Sequence, residues 1–284
     1  MTEPRTSRLV ATASATPLAG EASAFDRALA RIAPSARRFE PGSYSSESVA
    51  AVAAQWRHRM AFEHRSSMVF SQLAAQLYEA NASLDAKIVM LRMAADELRH
   101  TGTCAAVLEA LEPGAGVASV EVALEVQPLA RHGHASPEER ALRNVIYTTC
   151  LSEMVACARF VATLDRTTDP FLRDAMRRLL ADEVLHGQFG FHYLAASQDW
   201  LAAHGEVRAS LERYLVHAFA VVEEELAPRP PFPSLGEEAK ALGADDLALA
   251  REVFYATVEG AILPGLENQG LSATASWKSR RRLA

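Results

Sequence analysis

One five-residue pattern occurs twice in this chain, as Asp96-Glu97-Leu98-Arg99-His100 and as Asp182-Glu183-Val184-Leu185-His186. Both copies lie among strong helix formers. An α-helix turns ~100° per residue, so the Glu and the His of each copy point the same way, one turn apart. A carboxylate stacked on an imidazole is half of a metal site. Two such helices face to face, each helped by a Glu from a partner helix, supply the four Glu and two His of a dinuclear carboxylate centre. One copy would say little, because Glu-x-x-His is common in helices. Two copies in register, each preceded by Asp, constrain the fold far more.

The partner carboxylates follow from the helices before each motif. The first helix offers Glu47 at its start, Glu79 at the turn and Glu63 in the middle, which selects Glu63. In the third helix Glu138 and Glu139 belong to the first turn, which leaves Glu153. Glu63 precedes its motif Glu by 34 residues and Glu153 precedes its own by 30, a difference of about one helical turn. A solvated carboxylate is the default reading of any single helix Glu. Here the flanking positions are Met90, Met93, Thr101 and Cys104 beside Glu97, Met176, Leu179 and Gly190 beside Glu183, and Cys150 and Cys157 beside Glu153. Ionisable groups aimed into such surroundings cost many kcal/mol unless a cation offsets them. The expected metal ligands are therefore Glu63, Glu97, His100, Glu153, Glu183 and His186.

Asp96 and Asp182 lie ~100° from the ligand face. From there each is expected to accept the free ring N–H of the His on the opposite motif helix and so fix its tautomer. The bland alternative is two unconnected helix Asp residues. Ser67, Thr101, Cys104, Cys150, Cys157 and Gly190 are small and near the ligand directions, and are expected to line a pocket. The three cysteines form no CxxC pair, which excludes a zinc knuckle and gives no disulfide framework. A reducing cytosol is the default compartment, so the expected location is cytoplasmic.

The rest of the chain reads as an all-α fold. Apolar residues recur at helical spacing from about Ser48 to Asn81, with Ser46 or Ser48 as the cap. Asn81-Ala-Ser is a short turn, and Ser83 or Asp85 caps a second helix to about Leu111. Residues 113–136 form a long crossover with an extended Val/Leu alternation from Val117 to Val126. Ser136-Pro137 and Asp169-Pro170 open a third helix over 137–166 and a fourth to about Leu201. Two helical hairpins joined by a long crossover make a four-helix bundle over 48–201. A disordered tail is expected over 1–24 and a lead-in over 25–47. Two further helices, near 206–227 and 244–264, pack on the bundle within 202–270, and 271–284 is a tail. The stripe Phe254, Tyr255, Val258 and Ile262 needs a surface to cover, and this layer is expected to wall a substrate pocket. Deleting it from about residue 228 should then leave a metal-binding bundle without turnover.

A net charge of -6 gives no support to nucleic-acid binding, which needs a basic face. No uninterrupted apolar run approaches the ~18 residues of a membrane span, so no membrane partner is expected.

With Glu63, Glu97-x-x-His100, Glu153 and Glu183-x-x-His186 in this order, residues 48–200 resemble the ferritin-like di-iron carboxylate superfamily. The Asp before each motif Glu is similar to its O2-activating members: the ribonucleotide reductase small subunit, acyl-carrier-protein desaturases and bacterial monooxygenase hydroxylases. The resemblance implies two Fe ions or a Mn/Fe pair, O2 as co-substrate, and electrons from an external reductase or ferredoxin. It implies an oxygenase or oxidase acting on a small-molecule substrate, as in the biosynthesis of a specialised metabolite. A homodimer is a further expectation. The alternative is an iron-handling protein, a ferroxidase or peroxide scavenger without organic substrate. Ferritin subunits lack the residues after the bundle, and the paired CxxC of rubrerythrins is missing. Leu179 stands where the arylamine N-oxygenase branch has a third His.

Overall fold

The computed structural model describes residues 6–10, 38–113, 119–123 and 128–280. Strand β1 (Thr6–Val10) is the described part of the tail expected over 1–24; the rest of that tail, and 25–37 of the lead-in, lie outside the described residues. Helix α1 (Ser46–Glu79) is capped by Ser45, one residue before Ser46 and three before Ser48, and its hydroxyl accepts from Ser48 N at 3.3 Å. Asn81 turns the chain with φ 48°, a left-handed conformation that Asn tolerates better than most residues. Ser83 then caps α2 (Leu84–Leu111) by accepting from Ala86 N at 3.2 Å.

In the crossover, β2 (Ser119–Ala123) pairs antiparallel with β1, Thr6 opposite Ala123 and Val10 opposite Ser119. This ribbon is the described part of the extended alternation, and the other described elements are helices. The end of the crossover is tied down by polar contacts: Leu129 N donates to Gln72 Oε1 at 3.0 Å, and Asn144 Nδ2 donates to Ala130 O at 3.0 Å.

Helix α3 (Pro137–Arg166) starts at Ser136, which accepts from Glu139 N, with Pro137 in the first helical position. Its middle, Ile146–Glu153, is a π-helical segment. Thr148 and Thr149 hydroxyls donate there to the carbonyls of Asn144 and Val145, both at 2.7 Å. Asp169 caps α4 (Pro170–Ala196): its Oδ1 accepts from Leu172 N at 2.9 Å and its Oδ2 from Tyr44 OH at 2.9 Å. The fourth helix ends five residues before the expected Leu201, and the short α5 (Gln198–Ala203) follows.

The four long helices contact in a ring: α1 on α2, α2 on α4, α4 on α3, and α3 on α1. Met60, Phe70, Leu73 and Leu77 of α1, Met90 and Met93 of α2, and Leu142, Ile146 and Leu151 of α3 are fully enclosed. Each such side chain contributes roughly 1.5–3 kcal/mol on leaving water. By length and hydropathy α3 is long and apolar enough to cross a membrane, but half of its apolar stretch is buried inside the protein. It reads as a core helix. The outer face of α2, in contrast, presents Leu84, Ile88, Leu91 and Leu98, each about half exposed or more.

Beyond these come α6 (Gly205–Leu226), α7 (Glu237–Ala241), α8 (247–267) and α9 (Ala273–Ser279). Helix α8 has its own π segment, Val258–Ile262, ending two residues before Pro264, whose missing N–H cannot close an α turn. The expected stripe is largely enclosed: Phe254, Val258 and Ile262 are buried in one cluster with Leu142, Ile146, Leu151 and Val155 of α3. This layer is therefore part of the core of α3. The layer thus packs on the bundle, and a deletion from about residue 228 would bare this face of α3. The tail expected over 271–284 is corrected: α9 lies within it and buries Trp277, whose ring Arg280 covers at 3.2 Å.

Candidate metal centre

All six expected ligands are mid-helix, and all are less than a tenth exposed: Glu63 on α1, Glu97 and His100 on α2, Glu153 on α3, Glu183 and His186 on α4. Their side chains meet between the helices. His100 Nδ1 lies 3.5 Å from Glu63 Oε2 and 3.1 Å from Glu183 Oε1. His186 Nδ1 lies 2.9 Å from Glu97 Oε1 and 3.2 Å from Glu183 Oε2. Ligand atoms fall into two overlapping groups, Glu63, Glu97, His100 and Glu183, and Glu153, Glu183 and His186, each mutually within 4.8 Å. Glu183 belongs to both, as a bridging carboxylate would.

Burial and charge pull these groups apart. Burial, then repulsion from Glu183, pushes the Glu153 carboxyl up to about 8. Burial also raises Glu97 well above the carboxylate range, against its bond with His186. Burial would raise Glu183 as well, but bonds with both imidazoles hold it down to about 2. His186 is pushed up to about 12, the bonds to Asp96, Glu183 and Glu97 outweighing burial. His100 rises well above its usual value for the same reason, with Asp182 first among its partners. Without a cation the cluster persists by holding protons. A cation would replace those protons, and the buried His100 Nδ1, facing Glu63 and Glu183, would offer it a nitrogen ligand. The donor set of imidazole nitrogen and carboxylate oxygen suits iron or manganese.

The Asp residues cross over between the motif helices. His100 Nε2 is 3.3 Å from Asp182 Oδ2, and His186 Nε2 is 3.6 Å from Asp96 Oδ2. Each ring thus turns Nδ1 to the cluster and Nε2 to an Asp. Sequence reasoning missed what holds those Asp residues. Arg99 pairs with Asp96 and reaches Asp182 Oδ2 at 3.3 Å. Arg92 stands 3.5 Å from Asp96 Oδ2 and 3.9 Å from Asp182 Oδ1. The available signal was Arg99 inside the first motif, where the second copy has Leu185.

A cavity of about 210 Å³ opens onto the cluster and is bordered by Glu63, Glu97, Glu153 and Glu183. It lies on the side of α1 and α3, walled by Phe62, Ser66, Ser152, Val155, Ala156 and Phe160, with Leu226 and Asp245 from the C-terminal layer. Those last two are the layer's share in the pocket; the stripe on α8 takes no part. None of the six residues expected to line a pocket borders this cavity. Ser67 donates to His64 O at 2.6 Å and Thr101 to Glu97 O at 3.0 Å, so both hydroxyls are spent on their own helices. Cys104 and Cys150 are buried and Cys157 is half-buried, and burial pushes all three thiols up, which keeps them protonated. Gly190 is a packing residue: a Cβ there would run into Thr149 Oγ1 and Cys150 Sγ of the π segment. Smallness marked these positions as pocket, whereas it serves close approach of α3 and α4.

The chain matches no protein-family model, and no curated protein matches it.

Proposed function

We propose that the protein is a non-haem di-iron, or Mn/Fe, enzyme that uses O2 to oxidise a small organic molecule on a four-helix bundle of the ferritin-like kind. The carrying observation is the cavity that reaches all four Glu. An iron-handling protein needs a path for ions, whereas this space has aromatic and aliphatic walls, as a substrate site does. Charge supports two ions: four ionised carboxylates carry four negative charges, which two divalent cations neutralise.

In this reading Glu63, Glu97, Glu153, Glu183, His100 and His186 hold the metals, which supply the reduction of O2 and the oxidising power. Asp96 and Asp182 keep each imidazole in the tautomer with a free Nδ1. Phe62, Phe160, Val155 and Leu226 bind the body of the substrate and exclude water. Electrons come from an external reductase or ferredoxin. The apolar stripe of α2 supports a homodimer.

The test is anaerobic loading with Fe(II), metal analysis, and O2 uptake with a chemical reductant. About two iron ions per chain and O2 uptake well above that of free iron are expected. Stoichiometric zinc alone from iron-replete cells, with no O2 reactivity after iron loading, would refute the reading.

A further inference from the structure

The cavity has a cationic group that the metal chemistry does not use. Two arginines border it, Arg59 and Arg159. Arg159 is neutralised by Asp245, whose backbone N–H is fixed by Gln55 Oε1 at 2.7 Å. Arg59 is different. Its guanidinium lies over the Phe160 ring, 4.1 Å from the centroid, and 5.7 Å from the Trp56 ring centroid. Aromatic faces hold the cation in place but accept no conventional hydrogen bond. Its ion-pair contact is Glu63 Oε1 at 4.0 Å, beyond hydrogen-bonding range, and Glu63 is one of the metal-cluster carboxylates. A positioned guanidinium at a substrate cavity, with its fork of donors unspent, is a site for an anion.

Building on the oxygenase reading, we propose that the pocket takes a small monocarboxylic acid with an apolar body, its carboxylate held by Arg59. A guanidinium matches a carboxylate with two parallel hydrogen bonds. A phosphate dianion would bring a second charge toward four Glu, and among the described residues the cavity's other arginine, Arg159, is already paired with Asp245. Size fits as well: a dry cavity of about 150 Å³ takes a benzene ring, so about 210 Å³ admits one ring and a short acid arm. Arg59 and Glu63 are four residues apart on α1, about 6 Å along its axis. An acid anchored at Arg59 therefore runs its apolar body past Phe62 and Phe160 toward the metal ligands.

The experiment measures binding of phenylacetate and of phenylacetamide to the full chain loaded with Mn(II), by calorimetry, alongside metal content. The wild type is expected to prefer the acid at least tenfold. Arg59→Met is expected to keep its metal and lose the preference, and Arg59→Lys to keep part of it, retaining the charge without the fork. Equal or undetectable binding of acid and amide by the wild type overturns the proposal. So does an acid preference unchanged in Arg59→Met, which would put the carboxylate on the metal. If Arg59→Met fails to take up metal, Arg59→Lys decides, and wild-type discrimination in it overturns the proposal. O2 uptake by iron-loaded protein is read separately. Acid selectivity through Arg59 without O2 uptake sinks the oxygenase reading and leaves the anion site; O2 uptake without acid preference does the reverse.

Discussion

Asp182 Oδ2 on α4 lies 3.3 Å from His100 Nε2 on α2, and Asp96 returns the contact to His186 at 3.6 Å. The two motif helices are thus clasped by a reciprocal pair, each Asp orienting the imidazole of the other helix. Asp182, a quarter exposed, is the better site to test this because its removal uncovers little core. Asp182→Ala should lower metal affinity about 10–100-fold in competition with a chelator while the far-UV spectrum stays unchanged. Unaltered affinity would show that His100 needs no such partner.

His186 touches both Glu97 and Glu183, at 2.9 and 3.2 Å. His186→Ala should therefore bind at most one of two metal ions, and His100→Ala likewise. Elemental analysis of each variant checks this, and full metal content in either would reject that His as a ligand.

The pH dependence of the metal-free protein follows from the direction of each shift. Glu153 is raised from 4.5 to about 8, so its stabilising contribution is full below the unfolded value of 4.5 and is lost as pH rises through about 8. His186, raised from 6.5 to about 12, contributes fully below 6.5 and loses that contribution as pH rises through about 12. Glu183 has the opposite sign: held at about 2, its contribution is present above 4.5 and lost as pH falls through about 2. From about pH 5 to about pH 9 the first two dominate, and the melting temperature of metal-free protein should fall. Metal binding must displace these protons, so affinity should rise over the same range and Mn(II) should flatten the profile. A melting temperature that rises with pH in metal-free protein would contradict the assignment.

Gly190 faces the π segment that ends at Glu153. Gly190→Ala should destabilise by about 1–3 kcal/mol through overpacking and, by displacing the Glu153 backbone, weaken metal binding too. Chemical denaturation with and without Mn(II) separates the two effects. A variant as stable as the wild type would show that α3 and α4 have slack at this contact.

Local rules carried much of this molecule. Prolines and caps at Ser136 and Asp169 placed the starts of α3 and α4, because those signals act within one turn of helix. The two Asp-Glu-x-x-His motifs and the mid-helix Glu63 and Glu153 were legible because helical spacing alone puts Glu and His on one face. Two features escaped. The π segment Ile146–Glu153 is legible only against α4, where Gly190 lets Thr149 and Cys150 come close. Arg99 serves two Asp residues, one of them 83 positions away.

The sequence by itself determined the four long helices, their order and the residues that can bind a cation, since these depend on periodicity and on neighbours within a few residues. Only the tertiary structure decided which side of the cluster is open. Ser67, Thr101 and Gly190 are small, yet hydroxyl bonds to their own helices and close helix contact consume that smallness. The open space lies between α1 and α3, bordered by Phe62 and Phe160, and Arg59, Leu226 and Asp245 reach it from far apart in the chain. A cavity is a gap left by the packing of whole helices, and no local pattern records it.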